Sequence, residues 1–492
     1  MEIAFVADEA ATIPVFAQLA RTVVNEILRG RLAPGQRLPS SRRLAAQWAV
    51  HRNTVLSALD ELAAEGWVET RAGAGCWVST TLPERPPPRG GARGGASAPG
   101  FAAEPGFAMG EPLWQALATM PPSRPGAYFM AGGQPDLRLL PREMLSRAWR
   151  RAVRDAGSKV LSYGDPRGAL RLRRAVASWC AARRDLAVGA REVMITRGSQ
   201  GALDLLSRAF LRPGEHVAVE ALGYGPAWVS LRAAGATLWP VAVDDQGLDV
   251  EALEALARKR TLRAVYVTPH HQYPTMVTLS ASRRLRLLDL ARRHGLLVIE
   301  DDYDHEFHHE GRAVMPLASA DAHGHVVYVG TFSKIVAPGL RVGFVVAPEP
   351  VIARLAQWRR AVDRQGDLTV ETALAELLEE GALQAHARRM QKVYGQRRTA
   401  LRDALGAHLA GVVEAHPTAG GMALWAEVSP KYDVERWSAA SAEAGVIFAT
   451  ARRFAFDQRP RPFVRLGFAP LDPGELVACV KTMKRCLNEA RV

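Results

Sequence analysis

The sequence predicts a chain of two folded parts: a small α+β unit built as a winged helix-turn-helix, and a large α/β unit. Three observations carry this reading. A Pro/Gly-rich stretch, Pro83 to Gly106, lacks the large apolar residues that a core requires and separates the parts. Before it, apolar residues recur at helical spacing between capping and breaking residues. After it, short apolar runs alternate with amphipathic helical stretches, the pattern of a covered parallel sheet. The chain has 492 residues, 48% of them hydrophobic, enough for more than one core. We expect a small domain over 12–81, a linker over 82–109 and a large domain over 110–492.

In the small domain, "IPVFAQLARTVVNEILRGRL" predicts a first helix, ended by Gly30 and the Pro34-Gly35 turn. The serines that open "PSSRRLAAQWAV" suit the cap of a second helix. A third, "HRNTVLSALDELAAEG", stops at Gly66, and "WVETRAGAGCWVST" reads as two short strands around a glycine-rich turn. A helix-turn-helix sets the first residues of its second helix against base edges. Those residues are His51, Arg52, Asn53 and Thr54. Arginine and asparagine carry the paired donors and acceptors that match guanine and adenine. Arg42 and Arg43 are placed for phosphate contact, and Arg71, Gly73 and Gly75 for close approach of the wing. The alternative is a protein-contact module whose arginines form a solvated face. Charge does not decide between them: of a net +13, the first hundred residues hold eleven arginines against nine acids.

In the large domain, "AVYVTP", "LLVIEDD" and "VVYVGTF" read as buried strands, with "SASRRLRLLDLARRHG" as an amphipathic helix. Lys334 follows the apolar run "VVYVG" among small polar residues, poorly placed for packing and well placed for covalent chemistry. A partly desolvated amine loses affinity for its proton and can form a Schiff base with an aldehyde cofactor. Ser333 and Arg341 add a hydroxyl and a fork of donors suited to a phosphate. A pyridine ring that acts as an electron sink needs a carboxylate at its nitrogen. Glu300, Asp301, Asp302 and Asp304 stand at a strand end, where open α/β sheets bind ligands. Asp301 is the choice for the ring nitrogen and Tyr303 for the phenolic oxygen. In "MITRGSQGALDLLSRAF", Gly198, Ser199, Gln200 and Gly201 form a turn at a helix start, suited to a phosphate. Tyr224 offers an aromatic face for the ring. Each feature alone has an ordinary structural reading. Their joint order, turn, tyrosine, carboxylates, lysine, arginine, points to pyridoxal 5'-phosphate.

The run from Gly30 through the wing resembles the winged helix of GntR-type bacterial regulators. From about residue 110 the chain resembles fold-type I aminotransferases, and the whole resembles the MocR subfamily of regulators that joins the two. The resemblance implies a pyridoxal-phosphate-dependent transcription regulator with the roles already assigned to Lys334, Asp301, Tyr303, Tyr224, Ser199, Gln200, Ser333 and Arg341. It further implies that Tyr163, in "LSYGDPRGALRLRRAVASW", reaches the phosphate of a neighbouring subunit, and that Arg465, in "FVRLGFA", grips a carboxylate. An ordinary strand arginine paired with an acid is the alternative for Arg465. The implied partners are double-stranded operator DNA, an amine or amino acid effector that displaces Lys334 from its Schiff base, and a second, domain-swapped copy of the chain. A working aminotransferase carrying a DNA-binding tether is the other reading. Three departures stand out: His51 where the family has serine, Met276 where it has glycine, and "EALGY" without Asp-Pro. The last two predict altered loop geometry beside the ligand.

The cysteines, Cys76, Cys180, Cys479 and Cys486, are scattered, which suits a reducing compartment. The N-terminus carries acids where a signal peptide needs bases, and no apolar run reaches membrane-span length, so we expect a cytoplasmic protein without a membrane partner. His305, His308 and His309 in "DHEFHHE" match no ligand spacing, and no metal is predicted.

Overall fold

A computed structural model describes residues 3–5, 13–71, 75–83, 105–108, 126–311 and 314–491. The chain divides into two compact units, residues 1–109 and 110–492. Gly73 and most of the expected linker lie outside the described residues.

In the first unit, helix α1 (Val15–Leu28) buries Leu19, Ala20, Val23 and Ile27 along one stripe and gives way to Gly30 at φ +73°. Helix α2 (Ser41–Gln47) begins where the Ser40 hydroxyl accepts the Arg43 N–H at 3.3 Å. Helix α3 (Arg52–Ala64) buries Val55, Ala58, Leu59 and Leu62 and ends before Gly66 at φ +77°. Strands β1 (Val68–Arg71) and β2 (Gly75–Val78) pair antiparallel, Arg71 opposite Gly75. Leu19, Leu44, Val55 and Leu62 are fully buried at the centre of one core that joins the three helices to the wing.

The departure at His51 has a physical resolution. Its ring Nδ1 accepts the Asn53 N–H at 3.2 Å, so imidazole caps α3 as a serine hydroxyl would. His51→Ala should therefore cost about 1 kcal/mol, lowering the melting temperature of this unit by roughly 4–8 °C in calorimetry of the full chain. His51→Ser should restore it.

The second unit is built on seven strands: β3 (Val193–Thr196), β4 (His216–Glu220), β5 (Thr237–Val241), β6 (Leu262–Val267), β7 (Leu297–Asp302), β8 (Val326–Thr331) and β9 (Gly343–Val346). Their order is β3-β9-β8-β7-β6-β4-β5. All neighbours are parallel except β9, which runs antiparallel to both β8 and β3. Side chains alternate between the faces. Ile195, Tyr328 and Phe344 pack into a core with helix α4 (Leu170–Arg184), while Met194, Val329 and Val345 enter another with helix α5 (Gly198–Phe210). Burial on both faces explains why these strands read as continuous apolar runs.

A second, antiparallel sheet follows: β10 (Val413–Ala415), β11 (Ala423–Val428), β12 (Ala449–Thr450) and β13 (Phe463–Gly467), in the order β10-β11-β13-β12. All four cysteines are free and buried. Among the described residues no helix is long and apolar enough to cross a membrane.

Candidate functional site

The strand ends of the large sheet bring together most of the residues expected there. Alternation along β7 sorts the acids. The Glu300 carboxylate accepts the Leu317 and Ala318 N–H groups at 2.7 and 2.9 Å. Asp302 accepts the Tyr328 hydroxyl at 2.9 Å and faces the His305 ring at 2.7 Å. Asp301 turns the other way. Its Oδ2 accepts the Tyr266 hydroxyl at 2.9 Å, and its Oδ1 is buried without a hydrogen-bond partner. Burial, reinforced by the charge of Asp302, pushes Asp301 up to about 7 against the pull of Tyr266 and Lys334.

Lys334 lies in the turn after β8, where the Thr331 hydroxyl accepts the Ser333 N–H at 3.1 Å and donates to the Ser333 hydroxyl at 3.0 Å. Burial, and then the guanidinium of Arg465, pushes the Lys334 amine down to about 8, with Asp304 and Asp301 opposing. The start of α5 faces Arg341. Gly198 adopts φ +67°, and a Cβ on it would stand 3.1 Å from the guanidinium, so glycine suits both the backbone conformation and the close approach. Arg341 is itself left-handed, at φ +52°, and donates to the Arg197 carbonyl at 3.2 Å. At a helix start the N–H groups of Ser199 and Gln200 have no intrahelical acceptor, whereas Gly201 N–H bonds the Arg197 carbonyl at 3.3 Å. The Gln200 side chain donates to the Pro226 carbonyl and the Ser230 hydroxyl at 3.0 and 2.7 Å, which leaves its main-chain N–H as its offering to a ligand.

Tyr224 precedes the helix Gly225–Ala233 and meets Tyr273 edge to face at 5.5 Å. Tyr273 also meets Tyr303 at 5.8 Å and Phe454 at 5.4 Å. Burial raises the phenols of Tyr224 and Tyr303, so both stay protonated near neutrality. The central place of Tyr273 has no sequence signal by itself. It follows from the Tyr273 N–H, which donates to Thr268 Oγ1 at 2.9 Å, while Thr268 donates to buried Glu220 at 2.7 Å.

Arg465, on β13, is 1% exposed. Its guanidinium carbon lies 4.8 Å from the Tyr273 ring centre, and Nε and Nη1 are buried without hydrogen-bond partners. Among the described residues no carboxylate lies within ion-pair distance of it. Tyr163 is elsewhere: 76% exposed, its ring 4.1 Å from the Arg364 guanidinium carbon.

Met276 shows how the loop departs. It adopts φ +63°, which glycine takes at no cost, yet its side chain is fully buried and its sulfur accepts from the Tyr303 hydroxyl at 3.8 Å. Met276→Gly should relieve about 1–2 kcal/mol of backbone cost and lose about 2–5 kcal/mol of packing. Packing wins, and we expect net destabilisation of roughly 1–3 kcal/mol in urea unfolding.

On the small unit, Arg42, Arg43, His51, Arg52 and Asn53 are exposed at the starts of α2 and α3, with Thr54 half-buried. Arg52 donates to the Ser41 hydroxyl at 3.3 Å, linking the two helix starts. In the wing, Arg71 stacks 4.9 Å from the Trp77 ring, and Gly75 takes φ +125°.

Residues 133–482 match the family described as aminotransferase class I and II, and residues 16–78 match the bacterial regulatory proteins of the gntR family. The chain is 33% identical to the probable rhizopine catabolism regulatory protein MocR of Rhizobium meliloti, over 99% of this chain and 95% of that one. It is 32% identical to the HTH-type transcriptional regulator TauR of Rhodobacter capsulatus, over 96% of each. Among solved structures it resembles LysN, the alpha-aminoadipate aminotransferase of Thermus thermophilus complexed with N-(5'-phosphopyridoxyl)-L-leucine. That likeness has a TM-score of 0.69 and 31% identity, and covers 74% of this chain and 92% of that one.

Proposed function

We propose a function from one premise: this chain belongs to the MocR subfamily of GntR-type bacterial regulators, in which a winged helix is joined to an aminotransferase fold. It is a pyridoxal-phosphate-dependent transcription regulator whose large unit senses an amine and whose small unit binds operator DNA. The observation that carries the sensing half is Arg465, a buried guanidinium with two unengaged nitrogens, close enough to Lys334 to depress its amine. A buried charge left unpaired is costly unless a ligand completes it.

The residues present fit the cofactor. Asp301 Oδ1 is a buried acceptor with nothing to accept from, as a protonated ring nitrogen requires. The main-chain N–H groups of Ser199 and Gln200, the Ser333 hydroxyl and Arg341 would hold the phosphate, helped by the dipole of α5. Tyr224 would cover the ring and Tyr303 would bond its phenolic oxygen. When bound, pyridoxal phosphate supplies an aldehyde that captures amines and a ring that withdraws electrons.

The chain's own groups do the rest. With its affinity for a proton lowered from 10.5 to about 8, the Lys334 amine is neutral roughly 300 times more often near pH 7 than a free lysine. Once displaced, it can take and return a proton. Asp301 holds the proton at the ring nitrogen. Arg465 orients an amine that carries an acidic group, and the aromatic wall of Tyr273, Tyr303 and Phe454 excludes water around it. On the DNA side, exposed Arg52 and Asn53 read bases while Arg42, Arg43 and Arg71 meet phosphates, with Gly75 letting the wing come close. Exposed Tyr163 serves the site of a second copy, so the working form is a homodimer. A regulator of this kind acts on DNA in the cytoplasm.

The test is an absorbance titration of the full chain with a panel of amines, with and without 2-oxo acids, beside operator binding. A band shifted by one amine, without oxo-acid cycling, supports a sensor. Cycling would instead identify a working aminotransferase. No band with added pyridoxal phosphate would overturn the cofactor reading.

A further inference from the structure

Behind the acids of the site, two segments distant in sequence bring four histidine rings together. His270 and His271 follow β6; His305 and His308 follow β7. The ring centres of His270 lie 4.3 Å from His271, 4.6 Å from His305 and 5.9 Å from His308. In a pair of facing imidazoles, the hydrogen bond made by one nitrogen decides what the other can do.

At His270, Nδ1 lies 3.0 Å from the Val314 carbonyl, which can only accept, so Nδ1 carries the proton and Nε2 a lone pair. At His271, Nδ1 lies 2.8 Å from Asp304, which fixes the same tautomer when its carboxylate is ionised. Both residues are buried, 2% and 1% exposed, and both Nε2 atoms lack a hydrogen-bond partner. His305 differs: both its nitrogens are engaged, by Asp302 and by the Arg183 carbonyl. His308 brings a ring nitrogen to the same place, and the ligating atoms of His270, His271 and His308 all lie within 4.8 Å of one another. A tetrahedral site with bonds of about 2.1 Å needs nitrogens about 3.4 Å apart, so the three rings would draw together around the ion. Gly420 packs against this face of His271, where a Cβ would collide with Nε2.

We propose that His270, His271 and His308 form a binding site for a divalent late transition cation of the zinc type. Backbone carbonyl and carboxylate partners on the far nitrogens are what metal-ligating imidazoles use to fix tautomer and orientation, and here Val314 and Asp304 supply them. The fourth position falls to water or a small anion, as in three-histidine centres. The ion would tie the segment after β6 to the segment after β7, the two that carry Tyr273 and Tyr303. This inference does not depend on the cofactor or on DNA binding.

The probe is Zn2+, with Co2+ as its spectroscopic substitute, added to the chelator-stripped full chain. Equilibrium dialysis should retain one Zn2+ per chain, Co2+ should give the visible band of a tetrahedral site, and Zn2+ X-ray absorption should show imidazole nitrogen neighbours. His270→Gln and His308→Gln should abolish retention, Asp304→Asn should weaken it about 10- to 100-fold, and His408→Gln should leave it unchanged. Failure of the wild-type chain to retain Zn2+ would overturn the proposal. So would a sulfur shell in the absorption spectrum, which would indicate one of the four cysteines. Both of those readings use the wild-type chain and stand even if a histidine variant fails to fold.

Discussion

Lys334→Ala is expected to abolish the absorbance band that covalent attachment gives the cofactor-loaded chain, leaving the spectrum of an unattached aldehyde, while operator affinity stays within about threefold of wild type. Lys334 is the amine positioned among Ser333, Asp301, Asp304 and Arg465 with a depressed proton affinity, whereas the small unit keeps its own core around Leu19, Leu44, Val55 and Leu62. Removing the amine takes away covalent capture without touching α3. The rate at which the wild-type amine captures added pyridoxal phosphate should rise with pH and reach half its maximum near about 8, where Lys334 loses its proton. The sign follows from the depression: only the neutral amine attacks, and its fraction grows as pH climbs toward the lowered value. Stopped-flow absorbance measures this directly. A midpoint near the ordinary lysine value would contradict the burial argument.

Arg465→Ala is the second large effect. Affinity for amines that carry an acidic group should fall roughly 30- to 1000-fold, corresponding to about 2–4 kcal/mol for removing one partner of a buried charged pair. Simple alkylamines, which offer no anion, should bind as before. The ligand-free variant should be no less stable than wild type, because it discards a buried guanidinium two of whose nitrogens have no hydrogen-bond partner. That combination separates a ligand-binding arginine from a structural one, whose loss would lower stability and leave amine selectivity alone. Isothermal titration and urea unfolding of the same preparations give both readings.

Much of this was legible in the sequence because it depends on local pattern. The helices of the small unit follow from apolar spacing and from Gly30 and Gly66, which stop them at positive φ. The buried strands β6, β7 and β8 follow from apolar runs, and Asp301 follows from its place at a strand end. What was not legible depends on contacts far apart in the chain. The direction of the Gln200 side chain is set by Ser230 on the next helix. Tyr273 becomes the centre of an aromatic wall only when Thr268 and Glu220 anchor its loop. The four histidines share a place because parallel pairing of β6 and β7 brings the ends of both strands to one edge of the sheet. The antiparallel sheet that carries Arg465 pairs β11 with β13 across a helix and β12, a partnership that no spacing announces.

Strand order also governs how this protein emerges from the ribosome. Within the large sheet β3 pairs with β9 alone, about 150 residues further along. At roughly 5–20 residues per second, β3 waits roughly 7–30 seconds after its synthesis for that partner. The small unit has no such wait, since its paired strands β1 and β2 are separated by only three residues. On a nascent chain the DNA-binding unit is complete while the sheet behind it still shows an open edge, which makes the interval between β3 and β9 the period when this chain most needs protection from aggregation.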